Sequence, residues 1–255
     1  MIVDSADLDP TAAYKLLIGS VIPRPIAWVS TLSQTGVANL APISFFTVVG
    51  RKPPMVSLSM QSRANGTLKD TFVNIRDTGE FVTNLVTLPH TDAMHGTAYD
   101  FAPGLDEFAE VKLEKEPSTS VRPPRVKNAP IAFECVLERI IPMGTDNDHV
   151  VFGEIRRFFL RDELYLDRGR LDTAALPVVG RLAGEYTLVE NVFTTPLDDQ
   201  ILAGRRGRRM DRLDDRPSDW SPIGTDLWSP TGATPNQPAT PDRPQSGPGP
   251  ATGPR

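Results

Sequence analysis

The stretch that decides the fold is IGSVIPRPIAWVSTLSQTGVANLAPISFF, residues 18–46. Pro23 and Pro25 bracket Arg24 and force an extended entry, because each ring fixes its own φ and drives the preceding residue out of the helical region. Residues 26–31, IAWVST, read as a strand, and Gln34, Thr35 and Gly36 supply a turn. Residues 37–46 read as a second strand, interrupted at Pro42, which cannot donate to a ladder. Ser30, Thr31, Asn39 and Ser44 put polar groups where a core strand would be apolar.

Working outward, Asp9 before Pro10 is an N-cap followed by a first-turn proline, so a helix over 10–17 is expected. Residues 55–60 (MVSLSM) alternate apolar and hydroxyl side chains, the pattern of a half-buried strand. Over 67–78 the period changes: Leu68, Phe72 and Ile75 fall at helical spacing and Gly79 ends the run. Residues 80–85 return to strand, 90–98 suggest a short helix, and 103–130 read as an irregular surface excursion. The two longest strands are expected over 131–141 and 149–160, joined by the turn-rich 144–148 as a hairpin. Strands dominate without βαβ alternation, which argues for a mainly β fold, a closed or split β-barrel with a few peripheral helices.

The composition narrows the function. The chain has 255 residues and a formal charge of −5. From residue 196 on, arginines and aspartates balance, so the negative charge belongs to the body, which argues against nucleic acid as a partner. The island of arginines 205, 206, 208 and 209 is flanked by aspartates and reads as a solvated linker. Residues 217–255 hold ten prolines and five glycines, too few apolar side chains to offset the entropy of ordering. A folded domain over 1–195 and a disordered tail over 196–255 are expected. One cysteine, Cys135, excludes an intrachain disulfide and suits a reducing compartment. No signal-peptide pattern and no apolar run of about 18 residues occurs, so a cytoplasmic protein without membrane contact is expected. His90 and His95, five residues apart, are poorly spaced for a shared metal.

Several pieces in order resemble the flavin reductase-like family of FMN-binding split β-barrels. They are PRPIAWVST, residues 39–46 (NLAPISFF), Lys69-Asp70-Thr71 with Asn74-Ile75, and Asp148-His149 ahead of Gly153-Glu154. The resemblance covers roughly residues 9–194. It implies an oxidoreductase with FMN as cofactor, NAD(P)H and flavin as its small-molecule partners, and a homodimer with FMN near the subunit interface.

A flavin phosphate needs a cation and hydroxyl or backbone donors, ideally at a helix N-terminus. Ser62 to Gly66 lead into the 67–78 helix, whose first turns carry Lys69 and Thr71; with Arg63 these form a credible cradle, the plain alternative being a solvated lysine and a capping threonine. The isoalloxazine ring needs backbone donors and a partly apolar wall. The resemblance runs residues 39–46 along the flavin, making Asn39, Ala41, Ser44 and Phe45 candidates. Strand alternation lets only one of Phe45 and Phe46 face a ring, the other being core. Trp28 is open between wall and core, Thr31 at the strand end is the better ligand contact, and Ser59 stands on a face that could be wet. The resemblance also brings Arg181, from a late Arg-Leu-Gly-Gly element in which Ala183 replaces the first glycine, and His149 as a catalytic candidate on the flavin or nicotinamide side. On residues alone, His149 in a hairpin is equally a surface histidine.

Removing residues 217–255 is expected to leave the melting temperature and flavin affinity unchanged. A drop of several degrees in a thermal melt would mean that this segment contributes to the folded body.

Overall fold

Asp9 starts the first helix, α1 (Pro10–Ser20), by accepting a 2.9 Å hydrogen bond from the Ala12 amide. The chain then forms four strands in succession: β1 (Ala27–Leu32), β2 (Ala38–Ile43), β3 (Phe46–Arg51) and β4 (Pro54–Met60). Helix α2 (Asp70–Thr78) ends on Gly79, whose φ of 73° is the left-handed C-cap that glycine adopts without strain, and β5 (Glu80–Leu85) follows. Short elements fill the middle: α3 (Thr91–Gly96), α4 (Glu107–Glu110), β6 (Lys115–Glu116) and β7 (Arg125–Val126). The long hairpin is β8 (Ile131–Met143) and β9 (Asp148–Leu160). Two small ribbons come last, β10 (Tyr165–Leu166) with β11 (Arg170–Leu171), and β12 (Val178–Arg181) with β13 (Tyr186–Val189). The structure, a computed structural model, describes residues 2–189 apart from 103, 167 and 168. The expected domain boundary near 195 and the tail beyond it lie outside the described residues. No helix among the described residues is long and apolar enough to cross a membrane.

Seven strands form one antiparallel sheet in the order β2-β1-β5-β8-β9-β4-β3. Its outermost strands, β2 and β3, are neighbours in sequence, with only Ser44 and Phe45 between them. Three peptide steps reach about 11 Å at most, whereas six inter-strand spacings in a flat sheet amount to about 29 Å. The sheet therefore has to curl until its edges meet. At the tether the Ser59 amide of β4 donates to the Phe45 carbonyl at 2.8 Å, carrying the β3–β4 ladder one step past Phe46, while β2 and β3 do not pair and the barrel stays split between them. Register shifts in the β8–β9 hairpin, at Glu134/Cys135 and Leu137/Arg139, bend these two long strands with it.

Strand β1 is buried on both faces. Ala27 and Val29 join Ile43, Val56, Leu58, Phe81, Cys135, Val151 and Ile155 inside the barrel, with Phe72 and Ile75 of α2 packed against them. Ile26 and Trp28 face an outer layer that includes Leu40, Met94, Phe108, Val126 and Val179. Trp28 is thus core, its indole N–H donating to Thr97 Oγ1 at 2.8 Å. Phe46 also packs on the barrel core, leaving Phe45 for the cleft described below.

Two expectations shift. The expected break at Pro42 lies at Ser44–Phe45 instead, and Pro42 stays in β2 opposite Trp28; β2 is an edge strand, where a missing N–H is tolerated. Helix α2 begins three residues later than expected, because the Asn65 side chain accepts from the Thr67 amide (3.0 Å) and hydroxyl (2.7 Å), and Lys69 keeps an extended backbone as N-cap.

The interior is filled tightly enough that β9 needs a glycine. A Cβ on Gly153 would lie 2.2 Å from Cζ and 2.6 Å from Cε1 of Phe81, whose ring is fully buried and has nowhere to retreat. Gly153→Ala is expected to destabilise the fold by about 1–3 kcal/mol, the usual range for overpacking. Chemical denaturation checks this, and the double variant with Phe81→Leu should recover part of the loss.

Candidate functional site

The seam between β2 and β3 opens onto a cleft made of two adjoining cavities. The larger, about 300 Å³, is lined on one side by Pro42 to Phe45 and Ser59 to Gln61, with Lys69. Its other side is Met94, His95 and Ala98 from α3 and its end, and Arg181, Ala183 and Tyr186 from the β12–β13 ribbon; Tyr14 and Arg24 complete it. The smaller, about 50 Å³, shares Pro42, Ile43, Lys69 and Ala98 with it and continues to Asn39, Ala41, Arg63, Thr71 and Glu107. Lys69 stands where the two meet.

The two cavities differ in charge. The larger is lined by Arg24, Lys69 and Arg181 and by no carboxylate. Arg24 is 5% exposed and is satisfied by neutral acceptors: its Nη1 donates to Ile18 O (2.5 Å) and Val21 O (3.1 Å), its Nη2 to Leu182 O (2.6 Å) and its Nε to Ser44 Oγ (3.5 Å). Burial above all, and the charge of Arg181 in part, hold its pKa below the ordinary arginine value. Lys69 and Arg181 have no ion-pair partner among the described residues. Lys69 is the N-cap of α2 and its side chain makes no cap bond, and the amides of a helix's first turn have no acceptor within the helix.

The smaller cavity borders a buried polar network. Asn39 Oδ1 accepts from Thr71 Oγ1 (2.8 Å) and Thr31 Oγ1 (3.2 Å), and Asn74 Nδ2 donates to Thr31 Oγ1 (3.0 Å). Asn39 Nδ2 donates to Glu107 Oε1 (2.5 Å), while the Leu40 amide donates to Glu107 Oε2 (3.1 Å). Glu107, on α4, thereby covers the free edge of β2, which is otherwise a row of unpaired amides. Burial raises its pKa, opposed by the bonds from Asn39 and Leu40 and assisted by the charge of Asp70.

The expected site residues fall into three groups. Ser44, Phe45, Ser59, Lys69 and Arg181 come together on the larger cavity, and Asn39, Ala41, Arg63, Lys69 and Thr71 on the smaller. Within the second group Asn39 and Thr71 are buried and bonded to one another, and Thr31, fully buried, belongs to the same network and lines neither cavity. Arg63 pairs with Asp70 (2.9 Å) and Asp100 (3.2 Å) and donates to the Leu68 carbonyl, so its charge is spent on its own loop. His149 stacks on Phe72 at 4.3 Å and pairs in register with Met60; it stands one strand behind the cleft and lines neither cavity.

Three cleft residues had no clear signal in the sequence: Glu107, Arg24 and His95. Glu107 lies 68 positions from its partner Asn39, in a stretch without periodicity. Arg24 is one arginine among many until its carbonyl partners are seen. His95 hydrogen-bonds Tyr186 from 91 positions away.

The Flavin reductase like domain model matches residues 18–175. An uncharacterised protein of Aquifex aeolicus is 39% identical over 180 residues, covering 71% of this chain and 91% of that one. Among solved structures, nitrilotriacetate monooxygenase component B from Bacillus cereus aligns with a TM-score of 0.73 at 36% identity, over 76% of this chain and 98% of that one. The 2-nitrobenzoate 2-nitroreductase NbaA of Pseudomonas fluorescens aligns with a TM-score of 0.71 at 32% identity, over 78% and 96%. The chain belongs to the flavin reductase-like family.

Because its folded-state pKa is raised, the Glu107 carboxyl contributes stability below its unfolded pKa, and that contribution is lost as pH rises through the folded value. Glu107→Gln, which cannot ionise, should therefore gain on the wild-type protein as pH rises from the ordinary carboxyl range through the raised folded-state value. Urea unfolding of both proteins at several pH values checks the sign. A gap that moved the other way would mean that the two donated hydrogen bonds outweigh burial.

Proposed function

We propose that this protein holds FMN in the seam cleft and works as a flavin-dependent oxidoreductase, with NAD(P)H as hydride source and a small acceptor or a partner protein receiving the electrons. The observation that carries this reading is Lys69 at the start of α2, without an ion-pair partner among the described residues, on a cleft whose larger cavity has no carboxylate in its lining. An anionic ligand is the natural complement of such a wall. Lys69 and the uncapped amides of the nine-residue helix α2 form a donor set that fits a phosphate dianion. The amides of Ser44 and Phe45 belong to neither the β1–β2 nor the β3–β4 ladder, and with the Phe45 ring and Ser59 they suit the carbonyl edge and apolar face of a flavin. The names of the two solved relatives, a monooxygenase component and a nitroreductase, support redox chemistry.

The flavin, when bound, supplies the hydride chemistry, and the protein binds, orients and shields it. In this reading Asn39, Thr71 and Thr31 act from behind, fixing β2 against α2 through their network. Arg63 orders the loop before α2. His149, packed on Phe72 and lining neither cavity, has a supporting part in this reading, behind Met60. The thiol of Cys135 takes no part, since burial pushes its pKa up and keeps it protonated. A homodimer agrees with the exposed apolar side chains Leu16, Leu17, Val21 and Ile22 at α1 and Val48 and Val49 on β3, which flank an apolar cavity of about 350 Å³ beside Phe45. A cytoplasmic setting agrees with the single buried cysteine.

The competing reading is a flavin-binding protein without catalysis. Aerobic NAD(P)H consumption with added FMN separates the two, and the visible spectrum of the purified protein separates flavin from haem or pyridoxal phosphate. For the phosphate site, Lys69→Ala is expected to weaken FMN by ten- to about a hundredfold, the size of a charge-assisted hydrogen bond, while riboflavin affinity stays near wild type. Fluorescence titration with both flavins measures this, and equal losses would remove Lys69 from the phosphate.

A further inference from the structure

Two cations of the larger cavity differ in place. Lys69 lies at the junction with the smaller cavity, whereas Arg181 lines the larger one alone. If the cofactor phosphate is met at the α2 end, as proposed above, the charge of Arg181 is left for a second anion. Its position is firmly held. The Arg24 and Arg181 backbones exchange two hydrogen bonds of 2.8 Å, and Arg181 pairs directly with Tyr186 across the β12–β13 ribbon. That pairing sets its guanidinium over the tyrosine ring, 4.6 Å from the centroid.

The Tyr186 hydroxyl in turn meets His95 Nδ1 at 3.0 Å, tying the ribbon to α3. The imidazole stands edge-on to the rings of Tyr186 (5.8 Å) and Tyr99 (5.7 Å). His95 and Tyr186 both line the cavity and Tyr99 lines the smaller one, so this wall is aromatic with one guanidinium set into it. Arg24 lies close enough that the two like charges disfavour each other, and an anion on Arg181 would ease this.

We propose that Arg181, Tyr186 and His95 form the subsite of a second substrate, and that this substrate is a planar aromatic carboxylate. Arg181 takes the carboxylate, for which its forked donors are suited. The Tyr186 ring, held by His95, takes the aromatic ring by offset or edge contact. The inference rests on the flavin reading for which cation is free, and the three residues act as a specificity determinant for the acceptor.

The test uses the FMN-loaded protein and two probes of nearly one shape, benzoate and neutral benzamide, with binding read by calorimetry. Wild type should prefer benzoate by about tenfold or more, the size expected for a charged hydrogen-bond pair. Arg181→Met should abolish the preference, and Arg181→Lys should keep part of it. His95→Ala and Tyr186→Phe should weaken both probes by a similar factor, and FMN affinity should stay near wild type in all four variants. Equal binding of the two probes by wild type, or a preference that survives in Arg181→Met, would overturn the proposal. So would an Arg181→Met variant that loses FMN affinity, which would give Arg181 to the cofactor, or one that loses only NAD or NADP binding, which would give it to the nicotinamide dinucleotide. Calorimetry needs no flavin colour. If the protein fails to take up FMN, the flavin reading falls, and the benzoate-to-benzamide ratio of the protein as purified still decides the subsite.

Discussion

A two-residue tether between the first and last strands of a sheet governs the rest of this structure. Ser44 and Phe45 leave the seven strands no choice but to close, and closure determines what lies inside and what lies outside. Inside, α2 and the inner faces of β1, β4, β5, β8 and β9 pack into one apolar cluster. Outside, the tether itself becomes a wall. Its residues are the ones released from ladder pairing, so the seam is at once the topological necessity of the fold and the place where backbone donors are free to meet a ligand.

Charge is distributed around the seam in a complementary way. On one side a single buried carboxylate, Glu107, gathers the amide of Leu40 and the side chain of Asn39, and so fixes the edge of β2. On the other, Arg24 binds the carbonyls at the end of α1 and beyond β12 without any acid. A buried guanidinium satisfied by carbonyls keeps its positive field, whereas one paired with an aspartate loses most of it. Arg63 shows the second case, held between Asp70 and Asp100. The electropositive wall thus depends less on the number of arginines than on which of them are left without a carboxylate.

Much of the fold was legible because it rests on local rules. The Asp9–Pro10 cap, the Gly79 stop, strand 80–85 and the long hairpin follow from capping, backbone permissiveness and alternation, all of which operate within a few residues. The interruption near Pro42 was visible too, although proline at a sheet edge could stay in its strand and the break moved on to Ser44–Phe45. The start of α2 lies later than the periodicity suggests because an asparagine turn spanning only Asn65 to Thr67 competes locally with the first helical turn. Site residues were legible by type and less so by partner. Polar side chains in β1 and β2 announce that something polar must satisfy them, yet Thr31, Asn39 and Thr71 largely satisfy each other and a glutamate far along the chain. Contacts such as His95 with Tyr186 join segments that have nothing in common until the fold is made.

The fit of Phe81 against Gly153 leaves no room for even a methyl group at that point of the barrel interior, and neither residue lines the cleft. The cleft lies at the seam, where the lining comes from strand ends, a ribbon and a short helix, with Ile26, Ile43, Met60 and Met94 shared with the core. Such an arrangement separates two kinds of selection. Changes at positions such as Ala183, His95 or Gln61 can alter what is bound at little cost in folding free energy, while changes at Gly153 or Phe81 alter folding and leave recognition chemistry as it was. On such a plan, what is bound and how firmly the chain folds are set at separate positions.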